Sequence, residues 1–230
     1  MCVGQVGNLL PHVVVPAVMV RHLIPAWGLT NAQAGLMASA YAAGYMLAVP
    51  VLASLTDRLD ARGILLAGSL ASAAATLAFG AFVDSYAAAV VVWGLAGIGF
   101  AGAYMPGLKA LTDRLEPGDV SRSVTLYTSS YSLGVGLSFL VAQLVADAIG
   151  WRWAFFATGL GPLLMVGAAL STKPVAPAAP SWRLLDFRPV FANRPAMGYI
   201  LGYGAHCFEL YGMRTWIVAF WGYVAARDPS

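Results

Sequence analysis

Residues 63–83 read GILLAGSLASAAATLAFGAFV and, after the single carboxylate of Asp84, residues 85–108 read SYAAAVVVWGLAGIGFAGAYMPGL. Each stretch is longer than the roughly 20 apolar residues that carry a helix across a bilayer. The runs are continuous, whereas barrel strands would alternate apolar and polar residues over about ten positions. They therefore read as two membrane helices joined by a tight turn. Working outward, further stretches free of Asp, Glu, Lys and Arg run over 1–20, 22–56, 123–146 and 153–172. A seventh apolar segment, 196–222, is interrupted by Glu209 and Arg214. Residues 1–20 lack the cationic start and small-residue cleavage site of a secretory leader, so they count as a span. The expected fold is all-α, a polytopic transmembrane helical bundle.

Composition agrees. Of 230 residues 60% are hydrophobic and 10% charged, against about 25% charged in soluble domains. Thirteen cationic and ten anionic side chains cannot solvate a globule of this size, and lipid is the medium that fits. The cations stand singly between neutral runs, so no patch exists to track a phosphate backbone and nucleic acid is not an expected partner. Cys2 and Cys207 sit in apolar runs far apart and outside any ligand spacing, so no disulfide framework, metal site or cofactor is expected.

Loops orient the spans by their Lys and Arg content. With the amino terminus in the cytoplasm, the inner loops carry Arg58, Arg62, Lys109, Arg114, Arg122, Lys173, Arg183, Arg188 and Arg194, and the outer ones only Arg21, Arg152 and Arg227. The expected location is the bacterial inner membrane. Trp151 and Trp153 lie beside an outer turn, where an aromatic belt belongs. The longest loop, 172–195, is rich in proline and alanine and reads as a linker between a bundle at 1–171 and a segment at 196–230.

The turn between the second and third spans reads ASLTDRLDARG, residues 53–63. Asp57 at one helix end with Arg58 and Arg62 at the next can form ion pairs that latch one conformation. This turn resembles the G-x-L-A-D-R-x-G-R-K signature of the major facilitator superfamily. Leu55, Asp57, Arg58 and Arg62 match it, while Ala53, Asp60 and Ala61 depart from it. Six spans followed by a long inner linker, and GWRWAFF (150–156) opening the sixth span, extend the resemblance over the whole chain. It implies two six-helix bundles with a solute site between them near the midplane, of which this chain would hold about seven of twelve helices. A truncated product or fragment is the corresponding expectation, and alternating access the implied mechanism.

Polar groups at bilayer depth mark candidate sites. On the first span Gln5, Asn8 and His12 share a helical face, and on the seventh Tyr203, His206 and Glu209 do. His12 and His206 each lie roughly 15 Å in from the starts of their spans. The proposed solute contacts are Asn8, His12, Tyr45, Tyr131, His206 and Arg214; Tyr41 and Tyr104 supply further aromatic surface. Glu209 is the candidate proton-coupling carboxylate, since a desolvated acid can exchange a proton near neutral pH. Glu209 and Arg214 are five residues apart, about 140° around a helix, which disfavours a direct bridge.

Small residues in GLAGIGFAGAYMPG (94–107) and at Ala34, Ala38, Ala42 and Gly35, Ser39, Ala43 predict close helix packing. Residues 97–102 formally spell G-x-G-x-x-G, but that fingerprint needs a preceding strand and a soluble crevice. Prolines 11, 16, 50, 106 and 162 predict local kinks. The hydroxyl-rich TLYTSSY (125–131) is expected to bond mainly back to its own helix. No catalytic motif lies in any span, so an enzyme is not expected. The reading is a secondary transporter of a small solute, leaning to an organic or inorganic anion and coupled to protons. The alternative is a seven-helix receptor or other non-transporting membrane protein.

Overall fold

The structure is a computed structural model and describes residues 1–116, 118–177 and 185–227. Arg183, one of the inner-loop cations, and the middle of the linker fall outside these. The chain divides into two units, Met1–Pro180 and Ser181–Ser230.

In the first unit the first span is made of α1 (Cys2–Leu9), α2 (Val14–Val18), a π turn (Met19–Leu23) and α3 (Ile24–Trp27). Then come α4 (Asn31–Leu55), α5 (Ala61–Phe82), α6 (Tyr86–Thr112), α7 (Val120–Ile149), α8 (Trp151–Gly159) and α9 (Pro162–Leu170). Four spans, α4 to α7, are long and apolar enough to cross a membrane singly, and Trp151–Leu170 together make a fifth. Cys2–Leu9 with Val14–Trp27, bent by 46° between them, make a sixth. The second unit holds α10 (Arg188–Ala192) and α11 (Arg194–Arg227). The interrupted seventh segment is thus one continuous helix of 34 residues. Its polar and charged residues keep it off the roll of helices that qualify on apolarity.

The turns follow from local chemistry. Gly28 ends the first span at φ 59°, a left-handed backbone that glycine adopts without cost. Thr30 and Gln33 form a reciprocal capping box at the start of α4. Asp60 caps α5 by accepting from the Arg62 N–H, and Ser85 caps α6 by accepting from the Ala88 N–H. Gly150, at φ 106°, turns α7 into α8.

Helix packing uses the predicted glycines on two faces of α6. A Cβ at Gly97 or Gly44 would overlap the carbonyl oxygens of Tyr41 and Gly94 across the α4–α6 contact. A Cβ at Gly99 or Gly68 would overlap the backbone of Ser72 and Gly102 across the α5–α6 contact. Backbone therefore lies on backbone on both sides of α6, which only small residues permit. Gly7 and Gly161 do the same where α1 meets the α8–α9 turn. The aromatic core sits toward the end of the bundle at Gly150: Phe79 and Phe155 stack with centroids 4.1 Å apart, edged by Trp93 and Trp151.

Candidate solute-binding site

The break in the first span positions the candidate residues. Pro11 has no N–H to continue the ladder, and residues 10–13 close with short bonds instead, Leu10 N–H to Gly7 O and His12 N–H to Leu9 O. This leaves Leu10 C=O and Val13 N–H without helical partners. Ser138 of α7 takes both: its hydroxyl donates to Leu10 O at 2.6 Å and accepts from Val13 N–H at 3.3 Å. One hydroxyl thus stitches the broken helix to α7, deep in the bundle where Ser138 is fully buried.

His12 sits within the break. Its Nε2 lies 3.0 Å from the Tyr131 hydroxyl and its Nδ1 3.4 Å from the Tyr41 hydroxyl. A tyrosine hydroxyl donates or accepts, so the pair matches either tautomer of a neutral imidazole. Phe100 packs against the ring, centroids 5.0 Å apart, and Tyr45 packs on Phe100 at 5.7 Å. Tyr104 adds a contact to Tyr131 at 5.3 Å. The arrangement offers a polar imidazole–phenol core in an aromatic surround, chemistry suited to a solute with one polar group and an apolar body.

Of the predicted contacts, the structure brings together His12, Tyr131 and Tyr45, with Tyr41 between histidine and core. Asn8 is buried at 0% exposure, and neither of its amide atoms has a partner among the described residues. Gln5, on the same face, goes elsewhere: its Oε1 accepts from the Tyr127 hydroxyl at 2.8 Å. Ser138 was missed by sequence reasoning, because its role depends on backbone groups that are free only when the helix breaks. Pro11 was the available signal.

The second unit carries the other predicted residues on α11. Tyr203 and His206 are ring neighbours at 6.4 Å, as their three-residue spacing predicts. Arg214 is half-buried; Glu209 is exposed and outside any ion pair or hydrogen bond among the described residues. The desolvated setting expected for Glu209 is therefore not what α11 provides by itself.

The charged turn departs from expectation in one respect. Arg62 donates to the terminal carbonyls of α9, Ala169 O at 2.8 Å and Leu170 O at 3.3 Å, which favours a cation at that helix end. The acid that organises the turn is Asp60 rather than Asp57. Asp60 accepts both oxygens' worth of bonds from Arg114 at 2.9 and 3.0 Å, and also from the Val175 N–H at 3.0 Å. Arg114 in turn donates to Lys173 O. Asp57 and Arg58 lie exposed on the turn, and Asp57 has no side-chain partner among the described residues. Physically, the N-cap position points Asp60 into the bundle end, while Asp57 belongs to the last, outward turn. Burial alone would raise the Asp60 pKa, but the bonds from Arg114 and the two backbone N–H groups outweigh it and hold the carboxyl below its ordinary value.

A broken apolar first span, glycine-packed neighbours, an Asp–Arg network at one end and the partly matching signature turn all meet in one chain. The family model described as the Major Facilitator Superfamily matches residues 2–226. That range takes in every helix described above but for the last residue of α11, and the chain belongs to the major facilitator superfamily of membrane transporters.

Proposed function

We propose that the protein moves a small solute by secondary active transport, its polar group meeting His12 and Tyr131 and its body meeting Tyr45 and Phe100. The observation that supports this is the stitched break in the first span, which holds an imidazole at membrane depth between two phenols. Backbone that departs from a helix inside a membrane is tolerated where it is buried or lines a cavity, and it marks ligand sites for that reason. The Arg214 cation and the His206 imidazole on α11 are the proposed contacts that lean the reading to an organic or inorganic anion, and Glu209 is the proposed proton-coupling carboxylate. The proposed organisation is a first bundle at 1–171, a cytoplasmic linker at 172–195 and the opening helix of a second bundle, with the amino terminus in the cytoplasm of a bacterial inner membrane.

Proteoliposomes carrying the protein, offered labelled small carboxylates, phosphate and an amphipathic amine with and without a pH gradient, test the reading. We expect saturable flux of at least one compound, reduced tenfold or more in His12→Phe and Tyr131→Phe. Flux untouched by both variants would remove the site. Glu209→Gln is expected to abolish the response to the gradient, and a retained response ends the coupling role. Orientation is read separately in a Cys2→Ser/Cys207→Ser background: a cysteine replacing exposed Asp57 should resist, and one replacing Asp84 should accept, an impermeant thiol reagent added from outside.

A further inference from the structure

Buried hydroxyls in this bundle mostly bond back to their own helices: Thr76 to Ser72 O, Ser130 to Tyr127 O and Thr158 to Ala154 O. Ser69 and Ser72 on α5 are just as buried, at 0% exposure, yet their hydroxyls have no partner among the described residues. The same holds for both amide atoms of Asn8 and for Nε2 of Gln5. These five are among the six buried side-chain polar atoms without a partner in the described residues, Tyr86 Oη being the other.

The five converge. The Tyr127 hydroxyl that bonds Gln5 also lies against Gly107 of α6, and a Cβ at Gly107 would stand 3.3 Å from Leu65 Cδ1 of α5. So α1, α5, α6 and α7 share one level at Gln5 and Leu65. From there α1 and α5 run in the same direction, because both run antiparallel to α8–α9. Gly4 faces Met165 and Gly7 faces Gly161 on one side, while Arg62 reaches Ala169 and Gly80 faces Arg152 on the other. One turn on from Gln5 is Asn8; one and two turns on from Leu65 are Ser69 and Ser72. Both α1 and α5 pack on α6 and on α9, so the two stretches carrying these residues border the same group of helices at the same depth.

We propose that Gln5, Asn8, Ser69 and Ser72 form an internal site for small hydrogen-bonding molecules, occupied by one or two waters. Two amide donors, one amide acceptor and two hydroxyls give such a water the two to four polar partners a buried water requires. A neutral ligand is specified because the seam contains no charged side chain to match an ion. The polar group of a transported solute has the same chemistry, and the measurements below are made without solute so that occupancy then belongs to water alone.

The sign of one substitution tests this, because removing an unpaired buried amide and removing a hydrated one act oppositely. In the intact protein in detergent, Asn8→Leu is expected to lower the melting temperature by several degrees, by stranding the waters on the two serines. The triple variant Asn8→Leu/Ser69→Ala/Ser72→Ala is expected to recover at least half of that loss. A rise in melting temperature for Asn8→Leu overturns the site. Should Asn8→Leu fail to fold, X-ray radiolytic labelling of the unaltered protein decides. Hydroxyl radicals born on bound water are expected to modify buried Tyr127 several-fold more than equally buried Phe155, which lies among aromatic rings. Equal, background-level modification of the two overturns it as well.

Discussion

Ser138 shows how much a single hydroxyl can carry at membrane depth. Its two bonds satisfy both backbone groups freed at the break in the first span. Ser138→Ala should therefore destabilise the bundle by about 1–3 kcal/mol, the cost of unpaired buried backbone groups, read as a lowered melting temperature in detergent. Exposed Ser132 on the same helix, replaced by Ala, should change it by less than about 0.5 kcal/mol. His12 was legible in the sequence because an ionisable residue in an apolar run is costly and demands a reason. Tyr131 was legible only as one of several hydroxyls, and its bond to His12 came from the packing of α7 on the first span. Ser138 was not legible, since its partners are main-chain atoms that any residue carries. The latch residues illustrate the same limit: Asp57 fits the signature turn, yet the acid aimed inward is Asp60, and cap geometry rather than residue type decides which.

At the scale of elements, α6 is the helix on which the first unit is organised. Its glycines alternate between two neighbours, Gly94 and Gly97 toward α4, Gly99 and Gly102 toward α5. The sequence announced close packing through this run of glycines but not the partition between faces, because spacings of two and three residues serve either neighbour until the neighbours are placed. Gly97→Ala would drive a methyl into the Tyr41 carbonyl and force α4 and α6 apart. We expect a loss of about 1–3 kcal/mol, the usual cost of overpacking. Gly136→Ala on α7 meets nothing within 4 Å and should instead stabilise by about 0.5–1 kcal/mol through reduced backbone entropy. Thermal melts of the two variants side by side check both signs. The first span differs from the long helices: three prolines at 11, 16 and 25 and a π turn at Met19–Leu23 interrupt it. Its π turn is tied to α7 by Arg21 and His22, 3.3 and 3.1 Å from Asp147.

For the whole molecule, arginines do most of the joining at bundle ends. Arg62 and Arg152 cap the carbonyl ends of α9 and α5, and Arg114 gathers Asp60 and the start of the linker. The loop charges from which an orientation is expected are thus also fasteners of the bundle. Because Asp60 is held below its ordinary pKa, its contribution to stability is complete above the unfolded carboxylate value, about 3.9. It is lost as pH falls through the lower folded value. Asp60→Asn should remove this acid-side step, and at neutral pH cost about 1.5–3 kcal/mol for the charged hydrogen bonds; unfolding midpoints measured from pH 3 to 7 check both. The helical class and the membrane setting were legible from charge-free length alone, whereas the bundle's internal bonds were not, since they join different helices across sequence separations that reach 128 positions. That separation has a consequence for synthesis. The first span's Gln5, Leu10, His12 and Val13 find their α7 partners 119 to 128 residues downstream. At translation rates of about 5–20 residues per second, the nascent amino-terminal segment must wait roughly 6–25 seconds before α7 emerges to match it. During that interval its amide and imidazole need a temporary host in the insertion machinery, and a ribosome stalled before residue 127 would leave the span poorly retained in lipid.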